Sequence, residues 1–164
     1  FVREGNARGL FEGKSVLSLL TGEPEWLLPL KDEIPEGWTV TGYPWDEIKE
    51  PKHKAFVDAY RAKYNDTPRL GSLLGYITVY MIRDTIERAG SVETDALIKA
   101  LEDAKFDTVI GPVTMRGLDN QSTMGAWVGK LVLKGATGGM TGWTYNDGAS
   151  FMPSEADVKA ARKD

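Results

Sequence analysis

Apolar residues fall along this chain in short runs and helical stripes, and the period changes part-way. Residues 14–20 form a brief apolar run closed by Gly13 and by Thr21-Gly22, which predicts a buried strand. Glu23-Pro24-Glu25 then opens a short helix carrying Trp26, Leu27 and Leu30, and Pro35-Glu36-Gly37 ends it. Residues 38–43 alternate and are rich in β-formers, which predicts a second strand. Ahead of these, Phe1-Val2-Arg3-Glu4 reads as the tail of a helix stopped at Gly9. A domain seldom begins in that way, so an N-terminal part is expected upstream.

Pro44-Trp45-Asp46 breaks the pattern, and helical periodicity follows. Pro51 opens a helix with Phe56, Tyr60 and Tyr64 on one face. Residues 70–88 predict a long helix, apolar on most sides as far as Met81, with Gly90 as its stop and Ser91 as a cap for the next. That next helix should bury Leu97, Leu101 and Ala104. Residues 106–115 read as extended with a kink at Gly111-Pro112, and 116–122 as a polar turn. Two further strands, 125–133 and 140–145, flank a flexible glycine-rich stretch at 135–139. Ser154 caps a polar C-terminal helix. The interleaving of strands and helices is α/β in character.

Composition narrows the function classes. Of 164 residues, 41% are hydrophobic and 27% charged, an ordinary globular balance. A net charge of -4 with no basic block argues against nucleic acid as a partner, because phosphate neutralisation needs clustered Lys and Arg. With no cysteine, disulfides, thiolate metal sites and cysteine nucleophiles are excluded. No apolar run is long enough for a membrane-spanning helix.

Candidate chemistry is sparse. Gly13-Lys14-Ser15 hints at a phosphate loop, but Arg8 stands where the motif needs its first glycine, and a strand follows where a helix is required. His53, the lone histidine, lies in the first turn of a helix between Lys52 and Lys54, which predicts a solvated position. No nucleophile–base pair is visible, so the reading is a non-enzyme without cofactor or metal. Glu23 and Asp119 sit in turns at strand ends, where sites are commonly built. Most of the five tryptophans should pack in the core, with Trp45 set apart by its place in the break.

Several segments, in order, resemble one family. They are Gly9-Leu10 with Gly13-Lys14, Pro35-Glu36-Gly37-Trp38 with residues 41–44, the run of residues 56–64 (Phe-Val-Asp-Ala-Tyr-Arg-Ala-Lys-Tyr), Gly75-Tyr76, residues 86–91, Phe106-Asp107-Thr108, Gly111-Pro112-Val113 and residues 119–122. Together they look like type I periplasmic solute-binding proteins of ABC importers, in the branched-chain amino-acid receptor group.

The resemblance implies the C-terminal portion of a bilobed α/β fold whose lobes are joined by crossing strands. Residues 1–43 would belong to the second lobe, 44–46 would be a hinge crossing, and 47–115 would return to the first lobe. Residues 116–122 would be another crossing, and 123–164 would close the second lobe. It also implies a small-molecule solute, an amino acid or related small carboxylate or amide, held by lobe closure, an ABC permease at the membrane as partner, a periplasmic location, and a missing N-terminal half that carries the main first-lobe contacts. The same fold can serve as the ligand-sensing part of a regulator or receptor.

The remaining contacts would be the loop Leu20, Thr21, Gly22 and Glu23, the crossing around Tyr43–Trp45 with Trp45 itself, and the helix start at Gly71 and Ser72. In amino-acid receptors an acidic side chain near that loop pairs with the ligand ammonium. Here Thr21 or Gly22 is the nearest match, with Glu23 just after. Gly71 falls where a bulky side chain can floor the pocket, which implies room for a larger ligand.

Overall fold

The computed structural model describes residues 1–162. Its principal sheet is mixed and four-stranded, in the order β1-β2-β6-β7. Strand β1 (Leu17–Gly22) runs parallel to β2 (Thr39–Gly42). The long hairpin of β6 (Ala126–Lys134) and β7 (Thr137–Asn146) completes the sheet, with β2 and β6 antiparallel. Residues far apart in sequence, either side of a helical stretch, thus share one sheet.

Local chemistry sets the element ends. Helix α1 (Val2–Ala7) is short and is followed by Gly9 at a positive φ of 63°, as expected of a helix tail. Helix α2 (Pro24–Leu30) starts with proline at its first position, where no N–H is needed, and Glu23 is its N-cap residue. Helix α3 (Pro51–Tyr64) also begins on proline and ends on Asn65 in the left-handed conformation. Helix α4 (Leu70–Ala89) ends at Gly90 with φ 61°. Helix α5 is Thr94–Leu101, and Ser154 caps α6 (Glu155–Ala161) by accepting from the Asp157 N–H.

One core cluster joins the sheet to α3 and α4. Val40, Tyr43, Trp127, Leu131 and Met140 come from the sheet side, and Phe56, Val57, Leu73 and Ile77 from the helices. Trp38 and Trp127 are buried, as expected, whereas Trp26 is exposed.

Four local readings are corrected. Strand β1 is not buried: Leu17 and Leu19 are each 72% exposed. It is an edge strand, and Leu20 takes a positive φ of 66° that breaks its alternation and shifts its register between Ser18 and Gly22. Residues 106–115 form a hairpin of β3 (Lys105–Thr108) and β4 (Gly111–Arg116), where Gly111 at φ 104° turns the chain. β4 goes on to pair with the short β5 (Gln121–Ser122). The 135–139 stretch is mostly strand, with the turn confined to the two residues before Thr137. In α5, Leu97 and Leu101 are only half-buried, while Ala104 beyond it is buried; the cap residue is Glu93, with Ser91 Oγ accepting from its N–H.

Candidate binding cleft

Glu23 stands where β1 gives way to α2. Its N–H donates to the Leu20 carbonyl at 3.1 Å, a turn made possible by the left-handed Leu20. The side chain lies inward and the residue is 5% exposed. Oε2 is buried and has no hydrogen-bond partner within the described residues. Burial, and then the charge of Glu25, push the carboxyl from an ordinary 4.5 up to about 7. An unpaired buried carboxylate is costly, so this atom lacks something that would accept its charge or its proton.

The end of β2 forms the next wall. Gly22 and Gly42 meet backbone to backbone, and a Cβ on Gly42 would sit 2.3 Å from the Gly22 carbonyl oxygen. Only glycine permits that approach. Tyr43 then donates its N–H to the Gly22 carbonyl at 3.3 Å. Its phenol is raised further above its usual range by burial and by the charge of Glu23. Trp45 is half-buried, its N–H donates to the Tyr43 carbonyl at 2.9 Å, and the Arg61 guanidinium lies 5.6 Å from its ring centroid. Gly22, Pro24, Tyr43, Trp45, Lys134 and Gly139 are among the residues around a cavity of about 100 Å³.

The structure therefore brings Gly22 and Trp45 to one cavity, while Glu23, between the lining residues Gly22 and Pro24, is buried near Tyr43 and does not itself line it. Leu20 and Thr21 do not line the cavity and are tied locally. Leu20 N–H donates to Thr41 Oγ1 at 2.9 Å, and Thr21 Oγ1 shares a short hydrogen bond with Ser18 Oγ. Gly71 and Ser72 do not join the cavity. Gly71 is exposed with open space beyond its Cα, and Ser72 Oγ accepts from the Arg69 N–H at the start of α4. Asp119 is occupied by Arg116 in a bidentate ion pair, whose hydrogen bonding holds its carboxyl below the usual range.

His53 corrects the sequence reading outright. It is not solvated but 0% exposed, and its Nε2 lies 2.7 Å from the Tyr43 hydroxyl. The signal was present: His53, Phe56, Val57 and Tyr60 follow i, i+3, i+4, i+7 and mark one helix face. The flanking lysines obscured it. Glu47 was also missed. Its carboxylate takes an ion pair from Lys134 and the indole N–H of Trp143.

The profile of the family described as "Periplasmic binding protein" matches residues 1–138. The chain belongs to that family. Over 63 residues it is 35% identical to the leucine-, isoleucine-, valine-, threonine-, and alanine-binding protein of Pseudomonas aeruginosa, covering 38% of this chain and 17% of that protein.

Among solved structures, an amino acid ABC transporter substrate-binding protein from Pseudomonas fluorescens superposes with TM-score 0.75 at 21% identity, covering 96% of this chain and 42% of that one. The closed leucine-, isoleucine-, valine-, threonine-, and alanine-binding protein from Brucella ovis gives TM-score 0.75 at 16% identity, covering 93% and 41%. A solute binding protein from Rhodopseudomonas palustris in complex with 3,4-dihydroxy benzoic acid gives 0.70 at 17%, covering 90% and 41%. At these identities the structures establish a shared fold, the type I periplasmic-binding-protein α/β fold. The chain spans less than half the length of each solved relative.

Proposed function

We propose that this chain forms part of the extracytoplasmic receptor of an ABC importer, and that its Glu23 cleft takes the cationic nitrogen of an amino acid or closely related solute. In this reading 1–43 and 123–164 belong to one lobe, 47–115 to the other, and 44–46 and 116–122 are crossings. The common sheet of β1, β2, β6 and β7 supports the first grouping. The N-terminal half of the same receptor completes the cleft, and a membrane permease receives the solute on the periplasmic side. Binding energy shifts a closure equilibrium and drives no covalent step.

The observation that carries the solute class is the Glu23 carboxyl group: buried, unpartnered at Oε2 among the described residues, and close enough to Tyr43 for its charge to act on the phenol. A solute ammonium would pair with it, and Trp45 would offer an aromatic wall. The amino-acid specificities named for the Pseudomonas aeruginosa and Brucella ovis proteins support the same class.

The test is calorimetric titration of the complete receptor with L-leucine, L-valine, L-alanine and 4-hydroxybenzoate. Binding of at least one amino acid in preference to the benzoate supports the proposal. Preference for the benzoate, or no amino-acid binding, removes it.

A further inference from the structure

The Glu23 carboxyl group is held from a distance. Gly22, its chain neighbour, accepts the Tyr43 N–H, so the end of β2 fixes the loop that carries Glu23. Tyr43 is in turn held at its other end. Its hydroxyl and His53 Nε2 are 2.7 Å apart, with the rings edge-on at 5.6 Å between centroids. Tyr43 is 2% exposed and His53 0%. Tyr43 directly follows β2, whereas His53 lies in the first turn of α3, so this buried bond spans the 44–46 break.

The arrangement has a cost that packing alone does not require. Among the described residues, His53 Nδ1 is buried without a partner, as is Glu23 Oε2; both residues adjoin Tyr43 in the electrostatics or geometry of the cluster. An apolar side chain of similar volume would fill the His53 position without an orphaned nitrogen. The surrounding charges do not compensate it. Glu50 lies nearby, but Lys52 and Lys54 turn away to Asp107 and Asp58. An imidazole here is explained by what it does to the Tyr43 hydroxyl.

We propose that His53 is a positioning residue of the solute cleft: its hydrogen bond anchors Tyr43 to α3 and, through the Gly22 carbonyl, keeps the Glu23 carboxyl group in its dry position behind the Gly22 and Tyr43 wall of the cleft. The path runs α3, Tyr43, Gly22, Glu23. Its effect on affinity rests on the reading of Glu23 as the acid that meets the solute; its effect on the Glu23 environment does not. Without the anchor, Tyr43 gains freedom, water reaches the carboxyl group, and the acid loses the preorganisation that makes it a strong partner for a cation.

The experiment compares His53→Phe, His53→Gln and Tyr43→Phe in the complete receptor. Phenylalanine keeps the ring volume and removes the bond, while glutamine keeps an amide that can bond the phenol. Two readouts are taken: the titration midpoint of Glu23 by carbon NMR without solute, and the affinity for L-leucine. His53→Phe and Tyr43→Phe should lower the Glu23 midpoint from about 7 by roughly one unit. They should weaken L-leucine binding about tenfold. His53→Gln should restore most of both.

An unchanged Glu23 midpoint in His53→Phe overturns the proposal, as does unaltered L-leucine affinity in a variant whose midpoint has moved. If His53→Phe does not fold, Tyr43→Phe carries the same test through the loss of one hydroxyl. If the midpoint moves but the wild-type receptor binds no L-leucine, the anchor stands and the amino-acid reading falls.

Discussion

The Glu47 carboxylate accepts the indole N–H of Trp143 at 2.6 Å, tying the segment just past the Trp45 break to strand β7. Lys134 of β6 meets the same carboxylate, so one half-buried acid joins two strands to the start of the helical stretch. Both partners of Glu47 are donors, and one is charged. Glu47→Ala should cost about 1–2 kcal/mol of stability, the range for charge-assisted bonds discounted for partial exposure. Glu47→Gln keeps an acceptor for the indole and should cost less. Urea unfolding of the two variants checks the order.

The Glu23 carboxyl group gives stability an unusual pH dependence. Its pKa is raised on folding from 4.5 to about 7, so the fold favours the protonated form. That contribution is complete below 4.5 and is lost as pH rises through 7. Glu23→Gln should remove this slope and stabilise the solute-free protein at pH 8 by up to about 3 kcal/mol. Melting temperatures from pH 4.5 to 8, for wild type and variant, measure it.

His53 acts in the opposite sense. Burial lowers its pKa below 6.5, with Glu50 partly opposing, so the fold favours the neutral imidazole. Its stabilisation is present above 6.5 and declines as pH falls through the folded value. In the Glu23→Gln background, acid should therefore destabilise the protein through His53, and adding His53→Phe should flatten that limb. Circular dichroism melts of the single and double variants separate the two groups.

Helix α4 leaves apolar side chains open on several sides. Leu74, Val79, Tyr80 and Ile82 are exposed, and the edge strand β1 adds Leu17 and Leu19. Such surface needs cover. This chain on its own should self-associate, and, in the receptor proposed above, co-expression with its proposed N-terminal half should suppress that. Sedimentation velocity of the chain, alone and co-expressed, is the check; a stable monomer alone would count against it.

Much of the fold is legible in the sequence because its punctuation is strong. Pro24, Pro51 and Gly90 mark helix ends, and the helical stripes of α3 and α4 are clear. What is not legible depends on neighbours. The apolar run of β1 predicts burial, yet only pairing partners decide whether a strand is central or at an edge. The burial of His53 follows from where its helix face lies, against Tyr43 and Phe56, and its flanking lysines give no sign of it. Glu23 is readable as a loop-end acid, but the orphaned Oε2 that singles it out arises only when Gly22 packs on Gly42 and carries it inward.

The most direct test of the Glu23 cleft is the affinity of the complete receptor for L-leucine before and after Glu23→Gln, with Asp32→Asn as the exposed control. Removing a buried charge from its partner should weaken binding by about 3 kcal/mol, a loss of more than a hundredfold, while Asp32→Asn changes little. Unchanged L-leucine affinity in Glu23→Gln, with only its melting temperature altered, would contradict the assignment and leave Glu23 as a helix-start residue of α2.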